Sequence, residues 1–341
     1  MKLIHFLIGI LCLAGILIGC KNKEALNEDS SRLVFAAGYY PQVAVWDQHY
    51  YYTMQIPSAD SIILWKSDKP ETLAQGERLC VWHVDSMEHI WSPEIHRINN
   101  KWYVYFEADG GNTDYHQLYV LENCSADPMK GKFELKGAIM TNEEWNFGLH
   151  PTTVMVRDKQ YLLWSGWPHR RKETETQCIY IAQMENPWTL SSERIMLSEP
   201  EFEWERQWIN PDGLRSNYPI FVNENPEAFV TPDGRYVCVC YSASGIWTEF
   251  HSLGMLYART DADLLDPASW TKVEEPLFKS LKDTCDYWLS SNICVFPSVD
   301  GSSSYMFYES RWRDSKHKEH RDVRLKSLRF NEEGLPEFGQ P

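Results

Sequence analysis

Two acidic side chains, Glu94 and Glu224, stand at comparable places, each opening an apolar segment beside a proline: Trp91-Ser92-Pro93-Glu94 and Glu224-Asn225-Pro226. Two carboxyl groups brought to one cleft can cleave a glycosidic bond. One protonates the leaving oxygen, and the other activates water or attacks the sugar. Matching places in two further segments carry Tyr40 (Tyr40-Pro41) and His150 (His150-Pro151), and a fifth segment, without the proline, carries Ser291. An imidazole with a pKa of about 6.5 can take or give a proton at neutral pH. A phenol with a pKa of about 10 cannot serve as an ordinary base there. Either acid alone is as well explained by a structural role. Both at one end of similar segments point to a sugar-facing site.

The elements that would position these groups repeat five times. The inner apolar segments are 40–45, 92–98, 150–156, 225–230 and 291–296. Polar turns follow at Asp47-Gln48, Asn99-Asn100, Arg157-Asp158, Pro232-Asp233-Gly234 and Asp300-Gly301, residue types that suit tight hairpins. Aromatic-rich partner strands come next at 49–54, 101–108, 160–167, 235–244 and 304–310. Third strands are expected at 61–66, 117–121, 178–183, 254–259 and 323–330. A short outer strand completes several units, and no sustained helical periodicity is present. Antiparallel sheets of about four strands, repeated radially, predict an all-β fold, a five-bladed β-propeller. Inner strands of a propeller line its channel, so their entry ends, with Tyr40, Glu94, His150, Glu224 and Ser291, converge on one face.

The chain's 341 residues divide into three stretches. Residues 1–20 pair Lys2 with an apolar run that closes on Leu17-Ile18-Gly19-Cys20, the pattern of a secretory signal whose cysteine becomes a lipidated N-terminus. Residues 21–32 are polar and read as a tether, and 33–341 form the propeller. The expected location is therefore the bacterial cell envelope, with Cys20 the sole membrane contact. A net charge of −15 argues against nucleic acid as a partner. With 15 Trp, 18 Tyr and 14 Phe, the chain has rings enough to stack sugars, although β cores use the same residues. Seven cysteines remain beyond Cys12 and Cys20, with no CxxC and no metal spacing, so at least one thiol stays free. No metal or other cofactor is expected, a calcium ion in the channel has no support in the sequence, and the chain reads as a monomer.

Several of these phrases resemble glycoside hydrolase family 43. Trp91-Ser92-Pro93-Glu94 is similar to that family's second-blade Trp-Ala-Pro-Glu segment, and Tyr161-Leu162-Leu163-Trp164-Ser165-Gly166-Trp167 to its third blade. Asn223-Glu224-Asn225-Pro226 resembles the Asn-Glu-Gly-Pro motif that holds the catalytic acid. Tyr241-Ser242-Ala243-Ser244-Gly245-Ile246-Trp247 and the Asp263 to Trp270 phrase match the fourth blade. The likeness runs over about 33–340 and is greatest to the exo-acting α-L-arabinofuranosidase branches. It implies a five-bladed propeller that hydrolyses arabinan, xylan or arabinogalactan linkages with inversion, with Glu224 as general acid.

The same resemblance marks departures. Tyr40 stands where the family has its base aspartate. His150 stands where it has the aspartate that orients and tunes the acid, and Ser291 where it has a channel histidine. Three readings follow. In the first, the chain is a glycosidase in which Glu224 donates the proton and Glu94 or His150 handles the water. In the second, it is a glycan-binding protein that no longer cleaves, with Tyr40, Trp91, Trp167, Trp247 and Ser291 contacting carbohydrate. In the third, Asp47, at the far end of the inner strand, replaces the base. The basic stretches 169–172 and 313–321, the insertion at 201–218 and the pair Glu249 and His251 read as surface loops or as the rim of the cleft.

Overall fold

The computed structural model describes residues 31–143, 146–169, 175–208, 219–246, 248, 250–279, 287–313 and 318–339, with backbone alone at 175, 279, 287–291 and 313. Five antiparallel blades are arranged around a channel, as the repeat predicted. Blade one pairs Tyr39–Trp46, His49–Gln55, Ser61–Ser67 and Glu77–His83 in order. Blade two pairs Glu88–Ile98, Lys101–Asp109, Gln117–Asn123 and Glu134–Ala138. Blade three uses Leu149–Val156, Lys159–Gly166, Glu175–Asn186 and Ile195–Ser198; blade four uses Ile220–Val230, Tyr236–Ala243, Ser252–Arg259 and the short Thr271–Lys272. A parallel contact of Glu175, Thr176 and Gln177 with Ile220, Phe221 and Val222 joins these two blades at their tops.

Blade five is built from both ends of the propeller. Its inner strands are Tyr287–Pro297, Ser304–Arg313 and Glu319–Phe330, and its edge is closed by Arg32–Phe35, whose Leu33 pairs with Arg324. The ring is thus fastened by a strand that begins one residue before the expected start of the domain.

The alternation within each partner strand explains the ring. In Lys101–Asp109, every residue after Lys101 is buried. Trp102, Val104, Phe106 and Ala108 pack toward blade one, while Tyr103 and Tyr105 pack toward blade three. A strand covered on both faces has no polar side, so its sequence reads as a nearly continuous apolar run. Three similar layers fill the remaining spaces, between blades three and four, four and five, and five and one. Much of the aromatic content therefore serves these layers, where full burial of one ring stabilises by about 1.5–3 kcal/mol. In blade four Tyr241 lies across Gly254, its cross-strand partner, where an added Cβ would fall 2.3 Å from the tyrosine ring. The hairpin turns at Asp47-Gln48 and Asn99-Asn100 carry positive φ at both residues, the geometry that matches strand twist.

Candidate functional site

At the channel mouth each inner strand slips register against its partner, after an earlier slip in blade two between Glu88 and Trp91. The slips fall between Tyr39 and Gln42, Trp91 and Glu94, Leu149 and Thr152, Glu224 and Glu227, and Leu289 and Ile293. In four blades a residue before proline takes the left-handed conformation: Tyr40 (φ 52°), Ser92 (φ 42°), His150 (φ 52°) and Asn225 (φ 53°). Such a backbone is unfavourable for side chains other than glycine, and bulges of this kind re-aim side chains at the rims of barrels and beside active sites.

The residue opposite each slip is polar in all five blades: Gln55, Glu107, Ser165, Ser242 and Ser310. Three of them reach the next blade. Glu107 Oε2 accepts from the His150 backbone N–H at 3.2 Å, and Ser165 Oγ accepts from that of Asn225 at 2.9 Å. Ser242 Oγ donates to Asn292 Oδ1 at 3.0 Å. Neighbouring blades are thereby locked together just where the strained residues sit.

Around His150 the mouth becomes a cluster of ionisable groups. His150 is buried, with Nδ1 2.7 Å from Ser92 Oγ and 3.5 Å from Glu107 Oε1. Its Nε2 faces Glu224 Oε2 at 3.7 Å. The Tyr40 ring leans on the imidazole, with centroids 4.8 Å apart. Burial opposes a charge on His150, but Glu107 and Glu224 outweigh it and hold the imidazole above its ordinary pKa. Burial, and next the nearby Glu224, push the Tyr40 phenol up, further from ionisation. Beyond Tyr40 lies an ion pair between Arg321 and the buried Glu309, with the guanidinium 4.0 Å from the centre of the Tyr39 ring.

Glu94 stands one step deeper, in the channel. Gln42 Nε2 donates to Glu94 Oε1 at 2.9 Å and to Glu227 Oε2 at 2.6 Å, bridging the two carboxyl groups. Glu94 Oε2 lies 3.0 Å from His96 Nε2, Val295 N–H donates to Glu227 Oε1 at 2.9 Å, and Cys294 Sγ donates to Gln42 Oε1 at 3.3 Å. Burial holds Glu94 well above the usual carboxylate range, pushes His96 down to about 4, and together with Glu94 pushes Glu227 up to about 8. A cavity of about 10 Å³ opens between Tyr40, Gln42, Ser92, Glu94 and Asn225, room for roughly one water. Among the described residues no group of three or more His, Cys, Asp or Glu is placed to hold a metal ion.

The channel pair has a measurable consequence. Between pH 4.5, the ordinary glutamate value, and about 8, folded Glu227 keeps a proton that the unfolded chain has lost. Stability therefore falls as pH rises through that window, by at most about 1.4 kcal/mol per pH unit for one group. Glu227→Gln, which mimics the protonated acid, is expected to shrink the loss of Tm between pH 5 and pH 8. An unchanged loss would mean that Glu227 carries no proton there.

The aromatic candidates fare differently from one another. Trp167 is only 6 % exposed and stacks on Phe147, with centroids 3.9 Å apart, so that face is taken by the protein. Trp91 is half-buried, its ring 4.5 Å from that of His116. Trp247, Glu249, Cys20 and the side chain of Ser291 lie outside the described residues, as do 170–174 and 314–317 in the basic stretches. His251 is buried, its Nδ1 2.9 Å from Ser244 O. Asp47 is exposed at its turn, at the end of the inner strand away from the mouth. The part of the insertion described, 201–208, is held by the buried Glu205.

Glu107 was not among the residues that sequence reasoning selected. It follows five apolar or aromatic residues in a strand that reads as core filling. The signal was present in the internal repeat, because the aligned positions of the other blades are Gln or Ser and this one alone is acidic.

A ring of five blades whose mouth gathers Glu224, His150 and Tyr40 at the bulged entries of its inner strands can be compared with known proteins. The model of Glycosyl hydrolases family 43 matches residues 37–336. An extracellular exo-α-(1→5)-L-arabinofuranosidase of Streptomyces avermitilis is 35% identical over 306 residues, which is 86% of this chain and 60% of that protein. The Humicola insolens α-L-arabinofuranosidase 43 is 30% identical over 305 residues, again 86% of this chain and 60% of the relative. This chain thus spans about 60% of the length of these relatives. The crystal structure of an α-L-arabinofuranosidase from Lactobacillus brevis superposes with a TM-score of 0.80 at 28% identity, covering 92% of this chain and 97% of that one. With the family's pattern spread over every blade from the first inner strand to the last, the chain belongs to glycosyl hydrolase family 43.

Proposed function

We propose that this chain is a glycoside hydrolase that releases arabinofuranosyl units from plant glycans, with Glu224 as the proton donor to the leaving oxygen. The observation that carries this reading is Glu224 at the channel mouth, its Oε2 3.7 Å from His150 Nε2, in the motif that the family uses for its acid. The arabinofuranosidases of Streptomyces avermitilis and Humicola insolens support the choice of sugar. Protonation supplies most of the catalysis. The surroundings of the two candidate bases favour a protonated state, His150 between two carboxyl groups and Glu94 in the channel. Attack by water is therefore weakly assisted and turnover is slow. The protein works at the cell envelope, tethered through a lipid on Cys20.

A second reading, a glycan-binding protein without cleavage, is favoured by Tyr40, whose uncharged phenol occupies the family's base position. The purified protein and Glu224→Gln, screened on arabinan, arabinoxylan and arabinogalactan with sugar release and binding followed in parallel, separate the two. Release of arabinose that falls at least about 100-fold in the variant is expected from loss of a general acid. Binding without release, equal in both proteins, would overturn the hydrolase and leave the binding protein.

A further inference from the structure

We propose that Glu107 is a positioning residue that holds His150 as a cation against Glu224, so that the imidazolium pairs with the carboxylate that Glu224 becomes once it has given up its proton, at the place where the resemblance puts an aspartate beside the acid. The proposal rests on the hydrolase reading for its use in catalysis, but its electrostatic core stands on the geometry alone. Glu107 is fully buried, on the partner strand of blade two, and grips His150 twice. Its Oε2 accepts the His150 backbone N–H at 3.2 Å, fixing the left-handed backbone of that residue, and its Oε1 stands 3.5 Å from Nδ1. Among the described residues no donor hydrogen-bonds that Oε1, so the imidazole is the positive partner available to it. A buried carboxyl oxygen left without compensation is costly, whereas one facing an imidazolium is paired.

The three carboxyl groups that act most on His150 all favour the cation. Glu107 comes from blade two's partner strand, Glu94 from its inner strand and Glu224 from blade four, while Tyr40 from blade one contributes an uncharged ring. With both ring nitrogens protonated, Nδ1–H points to Ser92 Oγ and Glu107, and Nε2–H points to Glu224. The 3.7 Å separation from Glu224 is long for a hydrogen bond, as catalytic contacts often are before substrate binds. When Glu224 gives its proton to the leaving oxygen, the glycosidic C–O bond breaks and its electron pair goes to that oxygen. The Glu224 carboxylate so formed is paired with the His150 Nε2–H, which keeps its proton. Solvent restores the proton to Glu224. An aspartate could orient the acid but could not neutralise its carboxylate.

The test reads His150 directly. Histidine Cε1–H signals of ¹³C-labelled protein are followed by NMR from pH 5 to 9, with the His150 signal identified by its loss in His150→Asn and by its contacts to the Tyr40 ring. The wild-type midpoint is expected above the ordinary value of about 6.5, and Glu107→Gln is expected to lower it by about one unit or more. Glu224→Gln, which leaves Glu107 in place, should lower it as well. A wild-type midpoint at or below the ordinary value overturns the proposal without requiring any variant to fold. So does a midpoint that Glu107→Gln leaves unmoved. Where the protein cleaves arabinan, the alkaline limb of kcat/KM should shift downward with the NMR midpoint in Glu107→Gln. If His150 titrates as expected while no glycan is cleaved, the hydrolase reading fails and the positioning role of Glu107 stands.

Discussion

Replacing Tyr40 by aspartate is expected to raise the rate of arabinose release by about 10²–10⁴-fold, the usual contribution of a positioned general base. Tyr40 lies at the bulge that opens the inner strand of blade one, against His150 and close to Glu224. Its phenol is held further from ionisation than in water, so it gives no help to an attacking water. An aspartate at that bulge brings a short carboxylate to the place where the resemblance puts the family's base. The backbone accepts the change, since φ is 52° there and aspartate tolerates the left-handed region better than a bulky ring does. The loss of one tilted ring contact with His150 costs little beside this gain. Initial rates on linear arabinan and the anomeric form of the released sugar provide the measurement. A faster reaction with inverted product supports the assignment of the mouth. No gain with an intact fold would mean that residue 40 does not face the reacting carbon.

The second large effect is on stability, at Glu205. This residue is fully buried beneath the insertion between blades three and four and accepts five hydrogen bonds. Its Oε2 receives the backbone N–H groups of Glu201 and Phe202 at 2.8 and 2.9 Å and Lys272 Nζ at 3.0 Å. Its Oε1 receives the Tyr241 hydroxyl at 2.7 Å and Asn223 Nδ2 at 3.1 Å. Removing the carboxylate leaves four donors unpaired and takes from the half-buried Lys272 ammonium one partner, while Glu199 O at 2.7 Å remains to it; losing the buried member of an ion pair together with these hydrogen bonds costs about 3–5 kcal/mol. Glu205→Ala is therefore expected to lower Tm by roughly 10 °C, whereas Glu205→Asp, shorter but still charged, should lose less. Thermal denaturation of the two variants decides the matter. A shift within about 1 °C for Glu205→Ala would show that water replaces the carboxylate. Asn223 adjoins Glu224, so this anchor also steadies the strand that presents the proposed acid.

The blades were legible because a strand buried on both faces has a distinctive composition, and because proline and paired turn residues punctuate it at each repeat. Strand limits such as His49–Gln55 and Ser61–Ser67 differ from the expected 49–54 and 61–66 by a single residue. The closing strand Arg32–Phe35 was not legible. Four residues beside a polar stretch carry no alternation to announce a partner at the other end of the chain. Within the site, Tyr40, His150 and Glu224 came together as the repeat implied. Glu94 was expected to face sugar, yet the register slip in its strand sends it into the channel toward Gln42 and Glu227. Sequence reasoning could not see that exchange of position, because a bulge shifts side chains without changing the apolar pattern around it. Trp167 illustrates a related limit, since an indole at a strand end reads equally as a sugar platform or as a partner for Phe147.

The fastening of blade five by Arg32–Phe35 also constrains how the molecule comes into being. Leu33 and Arg324 are nearly 300 residues apart, so the last ladder forms only when almost the entire polypeptide is available. Long-range pairing of this kind is slow because loop closure must precede the contacts that reward it. During synthesis four blades can assemble in turn while the ring stays open, with the apolar flanks of blades one and four uncovered.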